Sequence, residues 1–277
     1  MIYDCFQFFN ELDLLEVRLE ELYPVVDKFV ICESTKTFSG NDKELRYLKH
    51  IDRYKKYQDK IKYIVYDNFD RSKIWTYQDN WILENDQRRY LLNGIDMRNL
   101  KDDDLILSSD LDEIPKRSVI ENIKKDFFRN PEKYQTPITI CSQMFYGKLT
   151  YKVVEPEEHL NWRGTVLITG RILKSNTDLQ YYRNYSLQCK TCFPSLENNG
   201  SWHFSYMGSA QDIIYKIESY AHQESNTVEI KNKIEENLNN MVDLFNRPDY
   251  KLEKVEMDDS YPELIKNNLD RFKHLYE

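Results

Sequence analysis

The chain has 277 residues with 39 basic against 47 acidic side chains, a formal net charge of −8. That balance excludes a general nucleic-acid binder, whose phosphate contacts need a basic face, and leaves room only for a local basic pocket. No apolar run reaches the roughly 18–20 residues of a membrane span, and Met1-Ile2-Tyr3-Asp4-Cys5-Phe6 is not a basic stretch followed by an apolar one. The expectation is a soluble, cytoplasmic protein without an integral membrane segment, forming one domain over residues 1–277. An odd count of five cysteines predicts free thiols in a reducing compartment. Cys189-Lys190-Thr191-Cys192 has no second His or Cys pair nearby to complete a zinc site.

Leu12, Leu15, Leu19 and Leu22 recur at helical spacing, and Pro24 helps to end that helix. Val25 to Cys32, apolar except for Asp27 and Lys28, reads as a strand that stops at the polar loop from Glu33 to Gly40. A charge-rich helix is expected over Lys43 to Tyr57, then a strand over Ile61 to Tyr66. The βαβ order predicts a parallel sheet. A further helix lies between Asp79 and Leu100, with Arg88, Leu92 and Ile95 on one face. An Arg on an apolar face reaches solvent or meets an anion, here Glu33, Asp110 or a bound diphosphate.

Leu105 to Pro115 is a short apolar run ending in Asp110 and Asp112, the pattern of a buried strand whose carboxyl end carries two acids. Ligands of open α/β sheets collect at such ends. Carboxylates are hard donors, so the pair suits Mg²⁺ or Mn²⁺ bridging protein to a diphosphate. In a chain with 47 acids the same spacing also suits a solvated acidic turn. After it come a helix over Ser118 to Phe128, strands over Ile138 to Val154 and Thr165 to Lys174, and loops around a site from Trp162 to Gly200. Ser201-Trp202-His203-Phe204-Ser205 precedes helices expected over Ala210 to Ala221, Val228 to Phe245 and Pro262 to Tyr276. His203 reads either as a packing histidine or as a ligand.

Several segments, taken together and in order, resemble glycosyltransferase family 17. They are Asp13-Leu14-Leu15-Glu16-Val17-Arg18 with Glu21-Leu22; Val26 to Ser34 with Thr37 and Gly40; and Trp81 with Gln87-Arg88. Ser109-Asp110-Leu111-Asp112-Glu113-Ile114-Pro115, Trp202 to Tyr206, Ala221-His222-Gln223-Glu224 and Asn268 to Phe272 complete the set. The best-known members add the bisecting β-1,4-linked N-acetylglucosamine to the core mannose of N-glycans. The stretch from Glu155 to Gly200, where an acceptor should bind, matches poorly. Animal members carry a cytoplasmic tail, a membrane anchor and a luminal stem, and a bacterial or viral enzyme acting on another glycan, lipid-linked sugar or glycoprotein is equally compatible with this chain.

The resemblance implies a GT-A-type nucleotide-sugar-binding fold with a single, mostly parallel sheet flanked by helices. It implies Mn²⁺ or Mg²⁺ at Asp110 and Asp112, with His203 as third ligand or phosphate contact. Glu33, Ser34, Thr37, Gln87, Arg88, Asp110 and His203 would meet the donor, a UDP-sugar, with N-acetylglucosamine the expected sugar. Inverting transfer would go to a hydroxyl of a glycan, glycolipid or glycoprotein. Glu113, Asp212 and Glu224 are the candidates to take that hydroxyl's proton, and Glu113 could instead hold the metal ligands. The competing reading is a metal-dependent phosphohydrolase with Asp110 as nucleophile, although Ile114 stands where that pattern wants a small hydroxyl or Val. A sugar-binding module without catalysis is the third.

Overall fold

The computed structural model describes residues 1–68, 80–188 and 199–277. Ten strands form one sheet: β1 (Ile2–Phe8), β2 (Lys28–Ser34), β3 (Ile61–Tyr66), β4 (Leu105–Asp110), β5 (Glu113–Pro115), β6 (Ile138–Tyr146), β7 (Tyr151–Glu155), β8 (Trp162–Thr169), β9 (Ser201–Ser205) and β10 (Lys251–Lys254). Their order is β10-β7-β6-β8-β4-β1-β2-β3, with β9 against β5 and β6. The α/β expectation holds, and β1 to β4 pair in parallel. Beyond Asp110 the sheet turns antiparallel, at β8 on β4, β6 on β8 and β7 on β6, with β6–β9 the parallel exception.

The strand at the centre of the parallel part was not legible as one. In β1 the apolar run is broken by Asp4 and Gln7, yet alternate residues serve two cores. Ile2, Phe6 and Phe8 pack with Leu15, Leu19 and Leu22 of the helix Leu12–Leu22, while Tyr3 and Cys5 pack with Val30, Cys32, Ile106 and Ile168. Both polar interruptions find partners. Asp4 accepts from the fully buried Arg18 at 2.6 and 2.8 Å, and Gln7 Nε2 donates to the Glu84 carbonyl at 2.9 Å.

Several elements differ from expectation. The helix over Lys43 to Tyr57 shrinks to Arg46–Lys49, whose first two N–H groups donate to Glu33, and a 3₁₀ stretch at Ile51–Tyr57. The loops expected from Trp162 onward are instead β8 and the helices Gly170–Ser175 and Leu179–Gln188. The strand expected to run to Lys174 stops at Thr169, whose hydroxyl caps the next helix by accepting from the Ile172 N–H. The helix from Val228 ends at Asn239, and the last segment breaks into the short turns Glu263–Lys266 and Leu269–Phe272. Cys5 and Cys32 are free and buried, but Cys141 is disulfide-bonded, correcting the expectation of free thiols throughout. The Cys189–Cys192 motif lies outside the described residues. Among those described, no helix is long and apolar enough to cross a membrane.

Candidate active site

In the register of the parallel strands, Phe8 stands beside Glu33 and Gln7 beside Asp110, so the carboxyl ends of β1, β2 and β4 converge. β2 and β3 extend the sheet to one side of β1 and β4 to the other, which makes this a topological switch point. A cavity of about 560 Å³ opens there. Ser34, Thr37, Gln87, Arg88, Asp110, Asp112 and His203 all line it, so the fold brings together most of the residues expected at the donor site.

Asp110 is clasped by two guanidiniums: Arg88 reaches Oδ1 at 2.8 Å and Arg183 reaches Oδ2 at 2.7 Å. Burial would raise this carboxyl, but Arg183 and Arg88 outweigh it and hold the group well below the usual carboxylate range. Arg88 is also braced through Nε to Gln180 at 2.8 Å and through Nη2 to Glu84 at 3.2 Å, which answers the buried-arginine question in favour of Asp110 over Glu33. From beneath, Arg18 donates to the carbonyls of Asp110, Leu111 and Glu113 at 2.7, 3.1 and 3.1 Å. One buried side chain on the first helix thereby fixes the backbone of the whole Asp-x-Asp turn.

Asp112 has a different environment. Lys216 Nζ lies 3.2 Å from its Oδ2 and 3.0 Å from Glu11 Oε1, and His203 Nε2 lies 3.6 Å from its Oδ1. Burial pushes the Asp112 carboxyl up, against the pull of Lys216 and His203. The His203 ring packs 5.2 Å from Trp162, and its buried Nδ1 has no hydrogen-bond partner among the described residues.

Four expected residues take other roles. Glu33 is fully buried below the cavity, accepting from Lys43, the Tyr63 hydroxyl at 2.9 Å, and the backbone N–H groups of Arg46 and Tyr47 at 2.7 and 3.1 Å. It shapes the loop that presents Ser34 and Thr37 and does not face a ligand itself. Glu113, expected as a base, is fully buried: Arg183 donates to both its oxygens at 2.7 and 2.9 Å, Trp162 Nε1 to Oε1, and the Asp110 N–H to Oε2 at 2.8 Å. That is the alternative role of holding the strand-end acids, and it leaves no oxygen to receive a proton. Gly164 makes room for it, since a Cβ there would stand 1.7 Å from Glu113 Oε1. Asp212 is an exposed helix cap, accepting from the Ser209 N–H at 3.0 Å and hydroxyl at 2.6 Å. Glu224 is half-exposed and pairs with His222 at 2.6 Å, outside the cavity wall.

Arg183, Gln180, Lys216, Glu84 and Glu11 line the cavity and were not read from the sequence. A signal existed. Gln180 and Arg183 share the buried face of the helix Leu179–Gln188 with Leu179 and Tyr182, and Lys216 adjoins Ile213 and Ile217, the same polar-on-apolar pattern that singled out Arg88. Met144, Tyr146, Trp162, Tyr206, Tyr220, Phe245 and Tyr250 give the wall an aromatic and apolar part, with the Arg247 guanidinium 3.9 Å over the Tyr250 ring.

Six lining cations, Lys36, Lys43, Arg88, Arg183, Lys216 and Arg247, exceed the four lining acids Glu11, Glu84, Asp110 and Asp112. Among the described residues no group of three or more His, Cys, Asp and Glu side chains is gathered to hold a metal ion. With Asp110 occupied by arginines, the donor set that remains is Asp112 Oδ1 and His203 Nε2. One carboxylate and one imidazole fit a divalent cation shared with phosphate oxygens and water, and not one held by protein alone.

Residues 1–256 match the sequence profile of glycosyltransferase family 17. The chain belongs to glycosyltransferase family 17. It is 35% identical over 119 residues to the beta-1,4-mannosyl-glycoprotein 4-beta-N-acetylglucosaminyltransferases of Homo sapiens and Rattus norvegicus, a match covering 42% of this chain and 22% of theirs. The chain therefore spans about a fifth of the length of these relatives. A crystal structure of S. aureus TarS 1-349 superposes with a TM-score of 0.42 at 11% identity, covering 88% of this chain and 70% of that one. The cavity is the candidate functional site of this family 17 chain.

Proposed function

We propose that this glycosyltransferase moves a sugar, N-acetylglucosamine by analogy with its relatives, from a UDP-sugar to a carbohydrate hydroxyl with inversion. The observation that supports this reading is the lattice at the end of β4, where Arg88 and Arg183 hold Asp110 and Lys216 holds Asp112, all opening into one cavity. Guanidiniums already poised on a carboxylate can turn their forks to a diphosphate, whose oxygens offer the same bidentate geometry. As the diphosphate departs, Arg88, Arg183 and Lys216 stabilise the charge that develops on it. The acceptor enters from the aromatic side, where flat rings exclude water from the reacting centre.

A divalent cation fits this scheme through Asp112 and His203, and when bound it supplies Lewis-acid neutralisation of the leaving group. Six lining lysines and arginines face four lining carboxylates, so the wall itself is net positive and favours an entering diphosphate. Membership of family 17 favours glycosyl transfer over the phosphohydrolase alternative.

Calorimetric titration of UDP, GDP and dTDP with and without Mn²⁺ tests the reading. UDP binding that strengthens at least tenfold with Mn²⁺, and loses that gain in Asp112→Asn, is the expected result. UDP affinity identical in EDTA and in Asp112→Asn would remove the metal from the scheme, and no UDP affinity at all would remove the donor.

A further inference from the structure

With Glu113, Asp212 and Glu224 set aside by the geometry above, the carboxylates that line the cavity are Glu11, Glu84, Asp110 and Asp112. Three of them are engaged. Glu11 accepts from Lys216 on one oxygen and from the Asn10 N–H on the other, both at 3.0 Å. Asp110 has an arginine on each oxygen, and Asp112 lies between Lys216 and His203. Glu84 meets only Arg88 Nη2, at 3.2 Å from Oε1, and its Oε2 has no hydrogen-bond partner among the described residues.

Its position on the helix Asn80–Tyr90 is what gives that free oxygen meaning. Trp81, Glu84 and Arg88 follow at i, i+3 and i+7, so they share one face, and all three line the cavity. Arg88 belongs to the ionic half through Asp110. Trp81 belongs to the aromatic half: its ring lies 4.5 Å from His222, whose ring lies 5.5 Å from Tyr220. Glu84 therefore stands at the seam between the side suited to the diphosphate and the side suited to the acceptor. Gln7 holds the Glu84 carbonyl at 2.9 Å from β1, fixing the helical turn relative to the sheet.

We propose that Glu84 is the catalytic base that deprotonates the acceptor hydroxyl; the inference rests on the transfer reaction proposed above. Glu84 Oε2 takes the hydroxyl proton as the oxygen's electron pair forms the new bond to the anomeric carbon. The bond from that carbon to the diphosphate breaks, and UDP leaves with the electron pair. The groups facing Glu84 are Arg88 and Trp81 on its own helix, Asp110 at the end of β4, Arg183, and His222. Burial raises the Glu84 carboxyl, Asp110 adds to this, and Arg88, Arg183 and His222 oppose it, with the net direction upward. A base raised in this way is stronger than an ordinary glutamate.

The test uses the full chain with UDP-N-acetylglucosamine, Mn²⁺ and a panel of methyl glycosides as acceptors. Glu84→Gln should lower kcat by about 10²–10⁴-fold, with UDP affinity and melting temperature unchanged. In the wild type kcat should fall on the acid side, at a pH above the ordinary glutamate value of about 4.3, and that limb should vanish in Glu84→Gln. Formate should restore part of the rate to Glu84→Ala, and Glu84→Asp should keep a measurable rate if the glutamine variant does not fold. Glu84→Gln within about fivefold of wild type, or losing UDP affinity in step with kcat, would overturn the assignment, the second outcome making Glu84 a prop for Arg88. A wild-type protein that binds UDP but releases none from UDP-N-acetylglucosamine, UDP-galactose or UDP-glucose would fail the transfer reading itself, and this inference with it.

Discussion

Arg183 Nη2 lies 2.7 Å from Asp110 Oδ2, while its Nη1 lies 2.7 Å from Glu113 Oε2, so one guanidinium joins the strand-end acid to the carboxylate behind it. Arg183 and Glu113 are buried, and Asp110 is half-buried. Removing the cation with Arg183→Ala strands two carboxylates, which should cost about 3–5 kcal/mol and lower the melting temperature by about 6–20 °C. Arg183→Lys keeps the charge but loses the planar fork, and is expected to weaken UDP affinity about tenfold with a smaller loss of stability. Calorimetry beside thermal melts separates the two effects. Unchanged UDP affinity in the lysine variant would confine Arg183 to a structural role.

Gly164 should tolerate no side chain. A Cβ there would meet Glu113 Oε1 at 1.7 Å, and Glu113 is held by Arg183, Trp162 and the Asp110 backbone, so it cannot swing aside without breaking those bonds. Gly164→Ala is expected to destabilise by more than about 3 kcal/mol and to lower transfer at least tenfold. Urea denaturation reads the first quantity, and wild-type stability would show that the site has slack.

Arg18 and Asp4 are both fully buried and paired at 2.6 Å. Asp4→Asn leaves the Arg18 charge with weaker neutralisation while it still grips the Asp110, Leu111 and Glu113 carbonyls. The expected loss is about 3 kcal/mol, with the remaining folded protein less able to bind UDP because the turn carrying Asp110 and Asp112 loosens. Amide exchange at residues 110–113, measured by mass spectrometry, should rise in the variant.

Glu16 ties the first helix to Arg53 and to Arg271 near the end of the described chain. Burial pushes its carboxyl up, but Arg271 and Arg53 outweigh that and hold it below the ordinary glutamate value. A depressed carboxyl adds stability that is fully present above the unfolded value of about 4.3 and is lost as pH falls through the lower folded value. The pairs are partly exposed, so the contribution is about 1 kcal/mol. Melting curves between pH 6 and 3 should show an acid decline that is shallower in Glu16→Gln; equal slopes would mean the cluster adds nothing.

Much of the fold could be read from periodicity. β3 falls where expected, Leu105 to Asp110 is a buried strand, and the helices at Leu12–Leu22, Arg117–Arg129 and Ala210–Ser219 lie within a residue or two of their apolar patterns. β1 escaped because Asp4 and Gln7 look like interruptions until Arg18 and the Glu84 carbonyl supply their partners. Family 17 membership was legible for a related reason: its motifs lie in short contiguous stretches that need no folding to be seen.

What the sequence determined by itself was the local grammar and the identity of the strand-end acids, because hydrophobic spacing and an Asp-x-Asp after an apolar run are properties of neighbouring residues. Only the tertiary structure decided what each charge does. Arg88 could have answered Glu33 or Asp110, and it answers Asp110; Glu33 caps the short helix Arg46–Lys49 instead. Glu113 adjoins the metal acids in sequence yet points into a closed ion pair with Arg183, 70 residues away, while Glu84, remote from every acidic motif, opens into the cavity. The pairing of a buried charge is set by which partner the folded chain delivers within about 3 Å, where Coulomb attraction outweighs desolvation, and spacing along the chain carries no record of that distance.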